Sequence, residues 1–530
     1  MRTLSGESTN WDSEDKPEIV KKAERLFESA NSASIIVFAP FLRHIAPKYF
    51  GWTAWTTFGR QLFRVNGKAV KKHSKELDAD NPKDFIDVYL LKIRETTDPT
   101  SSFYQNNGVN HLKAVLFDVF AGGSETTSAT LSFATLYLLL NKEAQRNAQK
   151  ELDRVVGSSR QVSLSDRPEL PYNKAIVLET LRLSSVAPLG MPHRMIADTM
   201  FHGYLLPKDV TIFANFHAIH HDPNIWGKDV NEFRPERFLS EDKTEVIHHE
   251  ALTPFSVGRR VCIGEGLAKD MLFTFIASIL QNFNIEPDPE CPVLKAETVS
   301  ENQKGSRYPP GPKSIPLLGN VLQLGKDPLG VLQKWAEKYG LIFSVKMGTQ
   351  DTIIISDPKL VKELYSDINS TGRAANAVTN YFGNGYGIVQ AQDQIWESQR
   401  RFTLRKLRDV GVLKSSIEGF IMEETATLIK FFQQNVGKPI SGMKLYNGPV
   451  VTALWRTISG ESIDWVALPY TEAIILETLR LSSIIPLGIP HQMLADTEFQ
   501  GFFLPKGATV LPTRTEFIYD PKIWGDDVNN

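Results

Sequence analysis

Cysteine and long apolar runs are scarce in this chain of 530 residues. Its two cysteines, Cys262 and Cys291, cannot form a disulfide framework, which fits a reducing compartment. No stretch of about 18 consecutive apolar residues occurs, so we expect no membrane-spanning helix. The residues after Met1 lack the apolar core of a signal peptide. Acidic and basic residues nearly cancel, at a net charge of −2, which gives no electrostatic basis for nucleic-acid binding.

One of the two cysteines lies in a glycine-rich turn. Cys262 is flanked by Phe255, Gly258, Arg260 and Gly264 in the pattern F-x-x-G-x-R-x-C-x-G. Glycines allow positive φ and close approach of the backbone to a flat ligand, and an arginine there can reach a carboxylate. Apolar residues at spacing four predict an amphipathic helix after the turn: Leu267, Met271, Phe275, Ile279 and Phe283. A thiolate at a helix N-terminus can ligate a metal; the alternative is a small buried cysteine before an ordinary helix.

The longest helical pattern runs from His111 to Asn141 and would be about 45 Å long. Its middle holds two adjacent glycines, Gly122 and Gly123, each of which costs a helix about 1 kcal/mol relative to alanine. They could leave room for a bound diatomic molecule, with Glu125 and Thr126 relaying protons to reduced dioxygen. Close helix packing at the glycines and a threonine bonded to the preceding turn are the alternatives. The residues alone leave both explanations open.

Two further pairs of side chains lie at helical spacing. Glu179 and Arg182 are at i, i+3, a spacing that usually gives a surface ion pair, and Arg237 follows in a P-E-R-F turn. Trp396 and Arg400 are at i, i+4, so they share a helix face and could bind one carboxylate together. An ordinary amphipathic helix would have the same spacing.

Three more segments bear on the organisation of the chain. An aromatic patch at 49–58 is either a substrate-channel wall that also contacts a membrane surface or a set of buried aromatics. Residues 286–308 are rich in Pro, Glu, Lys and Ser and predict a linker. Residues 341–356 alternate as a pair of strands, and another strand region begins at 192–194. Residues 1–110 are expected to be mostly helical.

Together these motifs resemble the cytochrome P450 family, in which a cysteine thiolate ligates haem iron. The resemblance rests on the loop around Cys262, the oxygen-activation helix at 121–127, the E-x-x-R pair with the P-E-R-F turn, and the W-x-x-x-R pair. It implies a mainly α fold with a small β region. The residues around Trp396 are most similar to those of microsomal members that oxidise steroids, hormones and foreign lipophiles. Asn384 departs from the pattern near where some of these carry a further propionate-binding arginine.

The resemblance also implies a haem-thiolate monooxygenase that inserts one atom of dioxygen into a small lipophilic substrate. Cys262 would ligate the iron of haem b, and Gly122 and Gly123 would leave space for oxygen. Glu125 and Thr126 would be catalytic. The implied cofactor-binding residues are Arg260, Trp396, Arg400, His193, Phe255, Gly258 and Gly264. Electrons would come from NADPH through NADPH–cytochrome P450 reductase at the endoplasmic reticulum surface, or the protein would be cytoplasmic. Glu179, Arg182 and Arg237 would form a buried brace for the haem loop.

The order of these motifs is abnormal, and one of them is repeated. Residues 171–231 recur as 469–529 with 35 identities in 61 positions, and residues 2–8 recur as 456–462. We therefore divide the chain into 1–290, a linker at 291–308, 309–464, and a truncated duplicate at 465–530. Our hypothesis is that 309–460 and 2–300 complete one domain as a circular permutant. Alternatives are a haem-binding paralogue without turnover, or a fusion of neighbouring genes that has no function.

Overall fold

The computed structural model describes residues 44, 52–287 and 309–460, together with short strands between 491 and 510. Within 309–460 the description omits 315–318, 325–327, 349, 375–384, 410–414, 439 and 441–444. The predictions for residues 1–43, for Tyr49 and Phe50, for most of the linker and for Asn384 therefore lie outside the described residues.

Helices make up most of the described chain, as the sequence predicts. In chain order they are α1 Trp52–Glu76, α2 Phe85–Glu95, α3 Gln105–Leu140, α4 Lys142–Val155, α5 Pro171–Ser184, α6 Phe216–His220, α7 Pro223–Trp226, α8 Glu265–Asn282, α9 Pro328–Tyr339, α10 Pro358–Ser366, α11 Asp393–Asp409, α12 Ser415–Gln434 and α13 Asn447–Ser459. None of the helices among the described residues is long and apolar enough to cross a membrane.

Two helices differ in detail from their predicted forms. Helix α3 begins at Gln105, six residues before the predicted start. Helix α8 ends at Asn282, so Phe283 is its C-cap rather than part of its apolar stripe. Helix α8 is buried on more than one face because it packs against α3, α4, α5 and α12. The predicted one-sided amphipathic pattern is therefore too narrow for this helix.

A five-stranded sheet joins the two large segments. Its order is β5-β6-β4-β1-β7, with β1 His193–Arg194, β4 Thr211–Ala214, β5 Ile342–Met347, β6 Gln350–Ile355 and β7 Gly372–Arg373. Strands β4 and β6 pair in parallel and bring Thr211 beside Thr352, whereas the other pairs are antiparallel. Strands β2 Thr199–Phe201 and β3 Tyr204–Leu206 form a separate hairpin. The strands predicted at 341–356 are confirmed.

The described part of the duplicate repeats this pairing. Its strands are β8 His491–Gln492, β9 Thr497–Phe499, β10 Phe502–Leu504 and β11 Thr509–Val510. His491 pairs with Val510 as His193 pairs with Ile212, and Thr497 pairs with Leu504 as Thr199 pairs with Leu206. The sequence repeat is therefore also a structural repeat at these strands. The second E-x-x-R pair lies outside the described residues.

Hydrophobic packing also unites the two segments. One buried cluster contains Phe120 from α3, Ile388 from the loop before α11, Trp396 from α11 and Trp455 from α13. The rings of Phe120 and Trp455 meet edge to face with their centroids 6.4 Å apart. Aromatic residues buried in this way stabilise a fold by roughly 1.5–3 kcal/mol each. The cluster therefore holds α11 and α13 against the middle of α3.

Candidate functional site

The loop before α8 is closed by its own backbone around Cys262. The Cys262 N–H donates to the Phe255 carbonyl at 3.0 Å, and the Gly264 N–H donates to the Cys262 Sγ at 3.4 Å. Gly258 has a φ of +75°, and a Cβ there would lie 2.1 Å from the carbonyl oxygen of Tyr365, so the position requires glycine. Gly264 has a φ of −93°, so the expectation of positive φ is wrong at that glycine.

The thiol of Cys262 faces accessible space although protein surrounds it. The residue is exposed, yet burial raises the pKa of the thiol, more strongly than the Gly264 N–H and Arg400 lower it. The residue is therefore accessible although protein groups surround its thiol. Without a metal the thiol is the favoured form, and a bound cation would reverse that preference because a coordinated thiol is deprotonated.

Arg260 is buried, and its guanidinium donates hydrogen bonds to backbone carbonyls. Its Nε donates to Thr371 at 3.0 Å, and its terminal nitrogens donate to Ile388 at 3.1 Å and Ala391 at 2.8 Å. The guanidinium carbon also lies 4.0 Å from the ring centroid of Trp396. Arg260 therefore fixes the loop 387–391, which leads into α11.

Two more arginines lie in the same electrostatic cluster. Arg400 on α11 donates to the carbonyl of Val261, next to Cys262, at 2.5 Å. Arg373 on β7 donates to the carbonyls of Val389 at 3.2 Å and Pro192 at 3.4 Å. Among the described residues, no carboxylate oxygen lies within 4.0 Å of a guanidinium nitrogen of Arg260, Arg373 or Arg400. We call these three residues the open arginine cluster.

Burial and mutual repulsion perturb the open arginine cluster. Burial, with Arg373 and Arg400 nearby, lowers the pKa of Arg260 to about 8. Burial likewise lowers the pKa of Arg373 to about 10 and the pKa of Arg400. Close by, the Nε1 of Trp396 is buried and has no hydrogen-bond partner. Within the described ranges, the site therefore offers positive charge and a spare N–H donor, and no carboxylate forms an ion pair with these arginines.

His193 lies next to this cluster. It pairs with Arg373 across strands β1 and β7. Its Nδ1 lies 2.8 Å from the Ser370 carbonyl, and its ring stacks on Tyr365 with centroids 3.7 Å apart. Burial, followed by the charge of Arg373, holds the pKa of His193 well below its usual range. The burial and the neighbouring Arg373 therefore favour the neutral imidazole.

The two glycines of α3 serve different purposes. A Cβ at Gly122 would meet nothing within 4 Å, so this position borders open space. A Cβ at Gly123 would lie 2.9 Å from Leu454 Cδ1 on α13. The expectation that both glycines leave space for oxygen is therefore wrong for Gly123, which allows close helix packing. Thr126 donates its hydroxyl to the Gly122 carbonyl at 2.7 Å, and Glu125 lies half-buried beside it.

A second arginine cluster is complete within the protein. Arg182 donates from Nε and from one terminal nitrogen to the carboxylate of Glu179, at 2.7 and 2.8 Å. Arg237 donates to the same carboxylate at 3.0 Å, and both Glu179 and Arg182 are fully buried. Arg182 also donates to the His220 carbonyl at 2.7 Å, and the His220 Nε2 accepts from the Thr253 N–H at 3.1 Å. We call Glu179, Arg182 and Arg237 the closed arginine cluster.

Sequence reasoning missed Arg373 and Asp118. The Asp118 carboxylate on α3 accepts from the backbone N–H groups of Ile388 at 2.6 Å and Val389 at 2.9 Å. Burial raises its pKa to about 7, although Arg373 and these two donors lower it. A lone acid in an otherwise apolar helical pattern is a signal that could have identified Asp118. Arg373 has no comparable sequence signal, because only the sheet brings it here.

Comparison with known proteins places the chain in a family. The family model described as Cytochrome P450 matches residues 1–306, 309–466 and 461–527. Cytochrome P450 2J5 of Mus musculus is 42% identical over 235 residues, 43% of this chain and 46% of that protein. Farnesoate epoxidase of Bombyx mori is 33% identical over 299 residues, 56% of this chain and 59% of the relative.

A third relative, cytochrome P450 2B4 of Oryctolagus cuniculus, is 37% identical over 268 residues, 49% of this chain and 51% of the relative. The chain thus spans about half the length of the curated relatives it matches. The family matches nevertheless cover nearly the whole sequence, and the mainly helical fold with a small sheet agrees with them. This chain belongs to the cytochrome P450 family.

Proposed function

We propose that residues 52–287 and 309–460 form one haem-thiolate monooxygenase pocket. The observation that carries the proposal is a group of side chains without an anionic partner among the described residues: an accessible thiol, the open arginine cluster and the unpartnered Trp396 N–H. Haem b has an iron for the thiolate of Cys262 and two propionates for the cations. Arg260, Arg373, Arg400 and Trp396 would hold the propionates, and the residues present fit the group.

When bound, haem would supply dioxygen binding and O–O cleavage, helped by electron density from the thiolate of Cys262. The chain itself would contribute space for dioxygen and a route for protons. Gly122 leaves space beside α3. The hydroxyl of Thr126 donates to the Gly122 carbonyl and keeps lone pairs with which it can accept a proton donor. Glu125 is the acid nearest to it in sequence, and we assign it proton delivery.

The proposed substrate is a small lipophilic molecule. Phe63 and Phe117 stack with centroids 5.4 Å apart, and Phe117 and Ile263, the latter adjacent to Cys262, pack against the same hydrophobic cluster. Binding sites for small molecules are mostly apolar with a few polar groups. One relative is named for an epoxidation. By family membership we propose electrons from NADPH through NADPH–cytochrome P450 reductase, at the endoplasmic reticulum surface.

We also propose that the pocket is assembled in permuted order. The elements of 309–460 would correspond to those that come before the elements of 52–287 in the chain of an ordinary family member. Three contacts support this. Arg260 bonds to the loop 387–391, Arg400 bonds beside Cys262, and β1 lies between β4 and β7. Residues 469–530 would then be a surplus copy of a region whose place is taken by 171–231.

A reduced carbon-monoxide difference spectrum of the purified full chain tests the haem site. We expect a thiolate-type Soret band in the wild type and in Cys291→Ala, the matched control, and its loss in Cys262→Ala. No band in the wild type, or a band that survives in Cys262→Ala, would refute the proposal. Product formation with added reductase then separates a monooxygenase from a haem-binding protein without turnover. Digestion throughout the chain by a protease would indicate a fusion product without function.

A further inference from the structure

The hydrogen bond at Nδ1 fixes the tautomer of His193. A carbonyl oxygen can only accept a hydrogen bond, so Nδ1 carries the proton that it donates to Ser370 over 2.8 Å. In the neutral ring the other nitrogen, Nε2, then carries a lone pair. His193 therefore presents an acceptor at Nε2, whereas Arg260, Arg373, Arg400 and Trp396 present donors.

The Nε2 atom borders accessible space. It makes no hydrogen bond with a described residue, and it is not one of the partnerless polar atoms that the protein seals from solvent. The residue as a whole is only 2% exposed, so the accessible part of the ring is small. Because His193 lies opposite Arg373 in the sheet, this space adjoins the open arginine cluster.

The surroundings of His193 keep the ring neutral until an anion arrives. Tyr365 covers one face of the ring in a parallel stack with a 4° angle between the planes. The charged groups that act on the imidazole are Arg373 and Arg260, and both disfavour imidazolium. The burial of Tyr365 raises the pKa of its phenol, so that group brings no negative charge. Among the described residues that act on the ring, none is an anion.

An arriving propionate changes this balance. A carboxylate oxygen has only lone pairs to offer, and so does Nε2, so the two repel unless a proton lies between them. We propose that haem binding brings one proton into the pocket, held between the Nε2 of His193 and a propionate carboxyl group. This proposal rests on the haem site of the preceding section. The proton comes from solvent water and forms an N–H bond with the Nε2 lone pair, which leaves imidazolium paired with carboxylate.

The test compares the wild type with His193→Gln. The glutamine amide can donate to a carboxylate without gaining a proton, so the variant keeps a donor and loses proton uptake. Haem b is titrated into both haem-free proteins between about pH 6 and pH 8, and the ratio of the two dissociation constants is followed. Any proton that Cys262 releases on binding iron is released by both proteins and cancels in the ratio.

We expect the affinity of the wild type relative to the variant to improve by about tenfold for each unit by which the pH falls. Calorimetry in two buffers of different ionisation enthalpy should find one more proton taken up by the wild type. A ratio that does not change with pH would overturn the proposal while the haem site stands. Failure of the wild type to bind haem with a thiolate spectrum would overturn both.

A second measurement covers the case in which the variant does not fold. In the diamagnetic ferrous carbon-monoxide complex of the wild type, nitrogen-15 chemical shifts of labelled histidine report protonation at each ring nitrogen. Protonation of both nitrogens of His193 at neutral pH supports the proposal, and an unprotonated Nε2 contradicts it.

Discussion

The closed and open arginine clusters are both largely buried, but they differ in what balances their charge. In the closed cluster, Arg182 and Arg237 share the carboxylate of Glu179, and the remaining N–H groups reach backbone carbonyls. In the open cluster, Arg260, Arg373 and Arg400 reach only carbonyls among the described residues. Both clusters use the same residue type.

The difference separates a structural role from a binding role. A buried charge costs several kcal/mol unless it is paired and hydrogen-bonded. The closed cluster meets that condition within the protein, so it can brace the fold with or without a ligand. In the open cluster, no carboxylate among the described residues forms an ion pair with an arginine. Its arginines therefore favour a ligand that brings negative charge.

The largest effect is expected at the closed cluster. Glu179→Ala leaves Arg182 and Arg237 buried without a carboxylate, and we expect the free energy of unfolding to fall by about 3–5 kcal/mol. Urea unfolding measures the change, with and without haem. Because the closed cluster needs no ligand, the loss should be similar in both states. A loss of stability seen only in the haem-bound protein would mean that the closed cluster also depends on the ligand, which would contradict its assigned structural role.

At the open cluster we expect a smaller effect, and we expect it on haem binding rather than on the stability of the haem-free protein. Arg400→Met removes a half-buried cation that makes one bond, to the Val261 carbonyl, so the free energy of unfolding of the haem-free protein should change by less than about 1 kcal/mol. Haem should dissociate more readily, with a dissociation constant raised roughly 10- to 100-fold by the loss of a charge-assisted hydrogen bond. Equal destabilisation of the two states would show that Arg400 is structural.

The smallest effect is expected at Asp118, the acid that acts on Arg373. Its folded-state pKa is raised to about 7. Between the ordinary aspartate pKa of about 4 and pH 7, the folded protein therefore keeps a proton that the unfolded chain has released. In haem-free protein this group's contribution to stability therefore falls as pH rises from about 4 to 7 and is constant above that. The Asp118→Asn variant has no carboxyl group at this position, so its stability should not fall in this way.

We expect the advantage of Asp118→Asn to grow to about 1–2 kcal/mol across that range, reduced by the partial exposure of the carboxyl. Thermal or urea unfolding of both proteins at several pH values measures it. Glu95→Gln, at the exposed end of α2, is a control that should show no such trend. A constant difference between wild type and Asp118→Asn would contradict the assignment.

Local motifs were predictable from the sequence, whereas contacts made over long distances were not. The turn at Cys262, the helix after it and the pairing of Glu179 with Arg182 depend on residues close together in the chain. The placement of Arg373 depends on a sheet that aligns residues 193 and 373. Spacing cannot reveal such a contact, because it is decided by strand order and not by periodicity.

The glycines show the same limit. The sequence shows that two glycines inside a helix are unfavourable and must serve some purpose, but it does not say which. Only the structure shows that Gly123 packs closely against Leu454 on α13 and that Gly122 borders open space. Gly258 was identified for its conformation, and its contact with Tyr365 was not foreseen. The sequence predicts the same conformation for Gly264, although its backbone is one that other residues can adopt.

The order of strands in the five-stranded sheet has a consequence for synthesis. Strand β4 ends at Ala214, but its parallel partner β6 begins at Gln350. At a typical 5–20 residues per second, the ribosome needs roughly 7 to 27 s to make the intervening chain. Throughout that interval one edge of an apolar strand has no native partner, and unpaired edges recruit other chains. Yield in a cell will therefore depend on chaperones that shield the nascent first half, independently of the stability of the finished protein.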